Sequence, residues 1–215
     1  MKSELKNELL LIMIAIFPLL YLLGVWELIP DKVPLHWNLS GEADRYGDRM
    51  ELFYLVIGLP TFIYVLMMVV RKIDPRKKNY EIFKLTYEKI RLLMGLTMSV
   101  ICCVIIYAAI GEKSPAGILS KVLFVMIALM GNYMGTIRPN FFIGIRTPWT
   151  LASDTVWKKT HRLAGKLWFW AGVLGLGISF LLPPNYAMQF CIVVLLVVAF
   201  IPVGYSYYIF REEKA

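Results

Sequence analysis

Six stretches of the chain are apolar on every side, with polar and charged residues gathered between them, at 9–29, 52–70, 92–110, 119–137, 167–182 and 187–210. A helix on the surface of a soluble domain alternates apolar and polar faces. A bilayer-spanning helix instead needs about 20 mostly apolar residues in succession. The pattern therefore predicts an all-α, polytopic membrane helix bundle of six transmembrane helices, the fifth being the shortest. The first run is longer than the apolar core of a signal peptide and is followed by Glu27 and Pro30, not by a small-residue cleavage site, so it is expected to remain as a span.

Composition agrees with this pattern. Hydrophobic residues make up 59% of the 215 and charged residues 18%, against about 45–50% and about 25% in an average soluble domain. No low-complexity tract or long linker divides the chain, which reads as a single membrane domain over 1–215. Cys102, Cys103 and Cys191 all fall inside predicted spans. An odd number in that setting argues for small packing residues and not for a disulfide or zinc framework.

The net charge of +8 would suggest nucleic acid in a soluble protein, but here the placement of the charge matters more than its sum. With the N-terminus in the cytoplasm, 18 of the 23 Lys and Arg residues fall on the inner side and five on the outer side. Lys32, Arg45, Arg49, Lys113 and Lys121 are the outer five. This bias obeys the positive-inside rule for six spans with both termini cytoplasmic. It places loop 30–51 outside the cell and loop 138–166 in the cytoplasm, and it implies a lipid bilayer and no direct nucleic-acid partner. The basic segment Arg71 to Lys78 reads as a topology anchor, with lipid or partner docking as the alternative.

Loop 30–51 is not a plain spacer. Pro30 and Pro34 oppose helix, and Asn38, Gly41 and Gly47 suit tight turns, which predicts a structured loop or short hairpin. His36, Trp37 and Tyr46 interleave with Glu42, Asp44, Arg45 and Asp48. Rigid aromatics beside charges suit peptide recognition, while Trp37 and Tyr46 could equally be interfacial anchors. His36 with Glu42, Asp44 and Asp48 has no recognised metal-ligand spacing, so no metal is expected.

Loop 138–166 carries Pro139 and Pro148, which end regular structure, and Gly135 and Gly144, which permit close turns. Thr150 is a plausible N-cap of a following helix, with Asp154 in its first turns. On that amphipathic helix Trp157, His161 and Trp168 share one face, and Lys158, Arg162 and Lys166 another. Such a helix can lie on anionic headgroups or meet a partner. Asp154 and His161 are seven residues apart on roughly one face, half of many catalytic sites. No Gly-x-Ser-x-Gly or His-Glu-x-x-His motif accompanies them, so a hydrogen-bonded structural histidine is the preferred reading. Asn132, in the fourth span, is expected to face the bundle interior and to join Arg138, Asn140 and Arg146 in a polar network.

At these residues the chain resembles the SdpI family of bacterial membrane proteins. The stretch from Pro30 to Asp48 is similar to a loop motif of the form Pro-x-x-(Ile/Val)-Pro-x-His-(Trp/Phe)-Asn-x-x-Gly-x-x-Asp. The stretch from Gly131 to Arg162 is similar to the family's C-terminal signature: Gly-Asn, Pro-Asn, Gly-Ile-Arg-Thr-Pro-Trp-Thr, then Trp-x-x-Thr-His-Arg. Carried over, the outer motif positions are Pro34, His36, Trp37, Asn38, Gly41 and Asp44. The inner ones are Asn132, Asn140, Gly144, Arg146, Thr147, Trp149, Thr150, Trp157, His161 and Arg162. The resemblance implies a non-enzymatic protein of the bacterial cytoplasmic membrane that gives immunity to a secreted peptide toxin. It further implies sensing of that toxin to hold a cytoplasmic transcriptional repressor at the membrane, with no cofactor. Two alternatives stay open: a small transporter with a central polar cavity near Asn132, whose spans 1–3 and 4–6 form an inverted pair, and a membrane enzyme using Asp154 and His161.

Overall fold

A computed structural model of the protein describes residues 2–111 and 113–214, with side chains from Leu5 onward. The side chain of Lys2, which counts toward the inner charge, lies outside the described residues. The helices are α1 (Lys2–Gly24), α2 (Arg49–Ile73), α3 (Asn79–Ile82), α4 (Lys84–Gly111), α5 (Ala116–Met134), α6 (Pro148–Ala152), α7 (Asp154–Ser179) and α8 (Pro184–Lys214). Strands β1 (Lys32–Trp37) and β2 (Ala43–Asp48) pair antiparallel between α1 and α2. The architecture is an all-α helix bundle carrying one small hairpin.

Among the described residues, five helices are long and apolar enough to cross a bilayer: α1 from Leu5, α2, α4, α5 and α8. The remaining long helix, α7, has 26 residues but differs in character. Lys158, Lys159, Arg162 and Lys166 occupy its first half, and its apolar part runs only from Leu167 to the helix end at Ser179, short of the length a lone span needs. The fifth apolar run of the sequence thus outlasts its helix, because Pro183 and Pro184 disfavour helix in the residues before them. The first run also outlasts its helix: α1 stops at Gly24, and a short 3-10 turn at Trp26–Leu28 redirects the chain into β1.

Large apolar side chains lie on the outside, including Phe17, Leu20, Phe62, Leu174 and Phe200. A soluble bundle would bury this surface. Inside, α1, α2 and α4 pack against one another, as do α5, α7 and α8, and α4 against α5 joins the two groups. The tightest approach is between α5 and α7, where a Cβ on Gly131 would lie 2.5 Å from the backbone N of Phe169. Only glycine lets the two backbones come so close.

The 25 residues of α2 span about 37 Å at the helical rise, so its two ends emerge at opposite ends of the bundle. At the hairpin end, Leu22, Ile29, Val33, Leu52 and Ile106 form a core that seats β1. At the other end Tyr80, Phe83, Tyr87, Met134, Ile137, Ile145 and Trp157 form a second core, built from both helix groups. The two motif regions of the sequence sit on these two cores.

Candidate functional sites at the two ends of the bundle

At one end the hairpin gathers all six singled-out residues of the first motif. Pro34 is buried in β1 opposite Tyr46, and His36 pairs with Arg45, Trp37 with Ala43. The turn is made by Asn38, whose side-chain oxygen accepts the N–H groups of Ser40 at 2.9 Å and Glu42 at 3.0 Å. Gly41 completes it at a φ of 79°, a conformation that suits glycine. Across the strands, His36 Nδ1 lies 2.5 Å from Asp44 Oδ1, both side chains being exposed. His36 meets no larger acidic group: among the described residues no three His, Cys, Asp or Glu side chains are placed to hold a metal.

The tip of the hairpin reaches the other helix group. Gln189 of α8 donates to the carbonyl of Leu39 at 2.9 Å. A Cβ on Gly41 would stand 3.0 Å from Ser114 Oγ, just before α5, and 3.6 Å from Asn185 in α8. The hairpin, rooted between α1 and α2, therefore bridges to the second three-helix group. Spacing along the chain gave no sign of this contact, since it joins residues about 150 apart.

At the opposite end two connecting segments clasp each other. Asp74, which follows α2, is 1% exposed. Its Oδ1 accepts the Arg76 N–H at 2.7 Å; its Oδ2 accepts the Tyr80 hydroxyl at 3.0 Å and the Phe141 N–H at 2.9 Å. Tyr80 lies 3.3 Å from the side-chain oxygen of Asn140. Burial, and after it the neighbouring Asp74 carboxylate, pushes the Tyr80 phenol far above its ordinary pKa, so it stays a neutral donor. Asn140 is fully buried and holds its own turn. Its oxygen accepts from Phe142 and Ile143 N–H, and its amide donates to the carbonyls of Arg138 and Ile143. Asn79 donates to the Pro139 carbonyl and Arg76 to that of Leu151. Sequence reasoning missed Asp74 and Tyr80; the one available signal was a lone acid before proline inside a basic run.

The second half of the inner motif folds into a compact knot. Thr147, not Thr150, caps α6, and the two threonines form a reciprocal capping box. Thr150 sits at the third helical position, fully buried, and donates to the Ile145 carbonyl at 2.8 Å. α7 has its own N-cap, Ser153. His161 is buried and stacks on Trp157 with ring centroids 4.1 Å apart. Its Nε2 accepts the Ile145 N–H at 3.0 Å, so Nδ1 carries the proton and donates to the Trp157 carbonyl at 2.9 Å. Burial pushes the imidazole pKa down to about 4, against the opposing pull of the Trp157 carbonyl. Trp157 in turn donates to the Ile137 carbonyl at 2.9 Å. Thr147 meets Ser206 of α8 at 3.0 Å, and Trp149 packs on Tyr207.

Asn140, Gly144, Thr147, Trp149, Thr150, Trp157 and His161 are thus brought together. Arg146 and Arg162 are exposed at the rim, where Arg146 donates to the Phe141 carbonyl at 2.8 Å. Three expectations are corrected. Asn132 does not face the interior: α5 turns Gly131 toward α7 and leaves Asn132 exposed, and the partners of Asn140 are Tyr80 and loop backbone. The cap expected at Thr150 belongs to Thr147, because Pro148 starts a separate short helix. Asp154 and His161 do not converge, since Asp154 is exposed toward Arg76 at 3.7 Å while both ring nitrogens of His161 are taken by backbone. Beside this knot lies a cleft of about 710 Å³ lined by Thr136, Arg138, Asp154 and Lys158 among others.

Several membrane-length apolar helices, a hairpin at one end and clasped polar segments at the other define a multi-pass membrane protein. The SdpI/YfhL protein family model matches residues 136–206, which hold the inner motif from Pro139 onward, α7 and most of α8. The model of a domain of unknown function, DUF1648, matches residues 13–59, which hold the hairpin. Over 208 residues, 96% of this chain and 97% of the other, the protein is 25% identical to "Immunity protein SdpI" of Bacillus subtilis (strain 168). The chain is thus similar to the SdpI family over residues 136–206 and to one immunity protein along nearly its whole length. No solved structure matches it.

Proposed function

We propose that this protein sits in the bacterial cytoplasmic membrane and protects its cell from a secreted antimicrobial peptide toxin. The carrying observation is the end-to-end similarity to an immunity protein, 96% of one chain and 97% of the other, together with the hairpin that presents His36, Trp37 and Asp44. In this reading α7 is the fifth of six spans, its short apolar half supported by close packing on α5, and both termini are cytoplasmic, as the charge asymmetry favours. The hairpin then faces the arriving toxin. The clasped segments 74–83 and 138–166 face the cytoplasm, where the cleft beside Arg138 and Lys158 offers a docking place for a repressor. Because Leu39 and Gly41 lean on α8 and the segment before α5, toxin bound at the hairpin has a direct mechanical route to the helices behind the inner knot.

The test is survival of a toxin-sensitive bacterium expressing the wild type, a His36→Ala/Trp37→Ala variant or Arg146→Ala, with membrane levels matched. Protection by the wild type that the hairpin variant loses supports the reading, whereas absence of protection against every peptide toxin tried overturns it. If the repressor part holds, Arg146→Ala loses reporter induction while keeping survival; equal induction in Arg146→Ala and wild type removes that part.

A further inference from the structure

Where α2 leaves the apolar layer, a cavity of about 470 Å³ is lined by Arg71, Lys72, Lys77, Lys78 and Arg91. The two carboxylates in its wall are already engaged. Glu8 receives both terminal nitrogens of Arg91, at 2.6 and 3.0 Å, and the Tyr64 hydroxyl; Glu81 receives Arg71 at 2.6 Å. Among the described residues Lys72, Lys77 and Lys78 have no carboxylate within 4.0 Å. The turn that carries the last two is held in place by buried Asp74, which accepts the N–H of Arg76 through its side chain and that of Lys77 through its carbonyl. Arg91 is only 8% exposed, and its Nε has no hydrogen-bond partner. Of the five cations, Arg71 and Arg91 neutralise the two carboxylates, which leaves an excess of three lysine charges around the hollow.

The hollow continues into an apolar seam. A second cavity, of about 320 Å³, shares Glu8, Arg71 and Arg91 and extends past Leu10 and Leu92. Further along lies a groove of about 440 Å³ lined by Ile14, Phe17, Leu96 and Val100. Steps of three or four residues place Leu10, Ile14 and Phe17 on one face of α1, and Leu92, Leu96 and Val100 on one face of α4. A cationic mouth at the end of α2 that opens, past Glu8 and Arg91, onto an apolar seam between α1 and α4 matches the chemistry of a phospholipid: a phosphodiester at one end and an acyl chain at the other.

We propose that this cavity and seam bind an anionic phospholipid of the phosphatidylglycerol class, with its phosphodiester among Lys72, Lys77, Lys78 and Arg91 and an acyl chain along α1 and α4. Basic pockets between membrane helices recognise such headgroups. A topology anchor requires only the charge of this segment, whereas a lipid site requires these particular lysines around this cavity. The assignment does not depend on the toxin reading, and survival is not its readout.

The full chain, purified in detergent, is titrated with dioleoyl phosphatidylglycerol, with dioleoyl phosphatidylcholine and with inorganic phosphate, bound lipid being counted by native mass spectrometry. The wild type is expected to prefer phosphatidylglycerol to phosphatidylcholine by tenfold or more. Lys72→Gln/Lys77→Gln/Lys78→Gln is expected to weaken phosphatidylglycerol by roughly a hundredfold, given the usual share of each lysine near an anionic lipid, and Lys72→Gln alone by a smaller factor. These lysines are exposed, so an unchanged thermal midpoint certifies the fold. The control Lys158→Gln/Lys159→Gln/Lys166→Gln removes equal charge from α7 and is expected to bind as the wild type does. Equal affinity for the two lipids overturns the proposal, as does equal loss in the control or displacement of phosphatidylglycerol by millimolar phosphate.

Discussion

Gly144 and His161 fit together only because Gly144 has no side chain: a Cβ there would lie 2.3 Å from the imidazole Nε2. Gly144 also adopts a φ of 103°, a region that side-chain-bearing residues rarely occupy. The contact places the next residue, Ile145, where its N–H meets Nε2. Gly144→Ala is therefore expected to strain the backbone by about 1–3 kcal/mol and to displace His161 as well. Thermal unfolding in detergent should show a clearly lower midpoint; an unchanged one would contradict the geometry.

Asp74 and Tyr80 make a second pair worth isolating. Asp74→Asn would place an NH₂ group against at least one of the donors the carboxylate now accepts, with an expected loss of about 2–3 kcal/mol. Tyr80→Phe should lose about 1 kcal/mol. Because the two touch directly at 3.0 Å, the double variant should lose measurably less than the sum. Strict additivity would mean that the bond contributes nothing.

His161 makes stability depend on pH. Its folded pKa is depressed from 6.5 to about 4, so between these values the unfolded chain binds a proton that the folded chain does not. The sign follows: the contribution is complete above about pH 6.5, declines as pH falls and is gone below about pH 4. Its full size is on the order of 3 kcal/mol. The fall in thermal midpoint from pH 7 to pH 4.5 should be smaller in His161→Gln than in the wild type, although the variant starts lower.

The hairpin tip offers a test of coupling between the helix groups. Gly41→Val conflicts both with a φ of 79° and with Ser114 Oγ at 3.0 Å, and Gln189→Ala removes the bond to Leu39. Hydrogen exchange at residues 39–42 should rise in both variants, more in Gly41→Val, with exchange at Tyr80 and Trp157 unchanged. Equal protection in all three proteins would mean that the tip does not depend on these contacts.

Sidedness is open to labelling. Ser40→Cys and Lys159→Cys place thiols at exposed positions near opposite ends of the bundle. In intact cells an impermeant maleimide should label the first and reach the second only after permeabilisation; the reverse would invert the assigned orientation.

Much of the architecture was legible before folding, because bilayer helices are specified locally. Continuous apolar runs require lipid, lysine and arginine mark the segments between them, and Pro30, Pro34, Asn38 and Gly41 spell out a turn within a stretch of twelve residues. The amide of Asn140 and the glycine at 144 were visible as conspicuous residues, though not their tasks. What only the tertiary structure decided is who meets whom. Asp74, inside the segment read as a basic anchor, is the centre of the clasp, because Phe141 arrives from a segment 67 residues away to join the nearby Tyr80 on its carboxylate. Asn132 looked like an interior amide, but helical phase set by Gly131 against α7 turned it outward. Asp154 and His161 share a helix face by spacing, yet Ile145 of the folded-back loop takes one imidazole nitrogen, the Trp157 carbonyl of α7 itself takes the other, and Asp154 is left to Arg76. Local pattern determines which segments must be helical and which must be wet; long-range packing alone chooses the partner of each buried polar group.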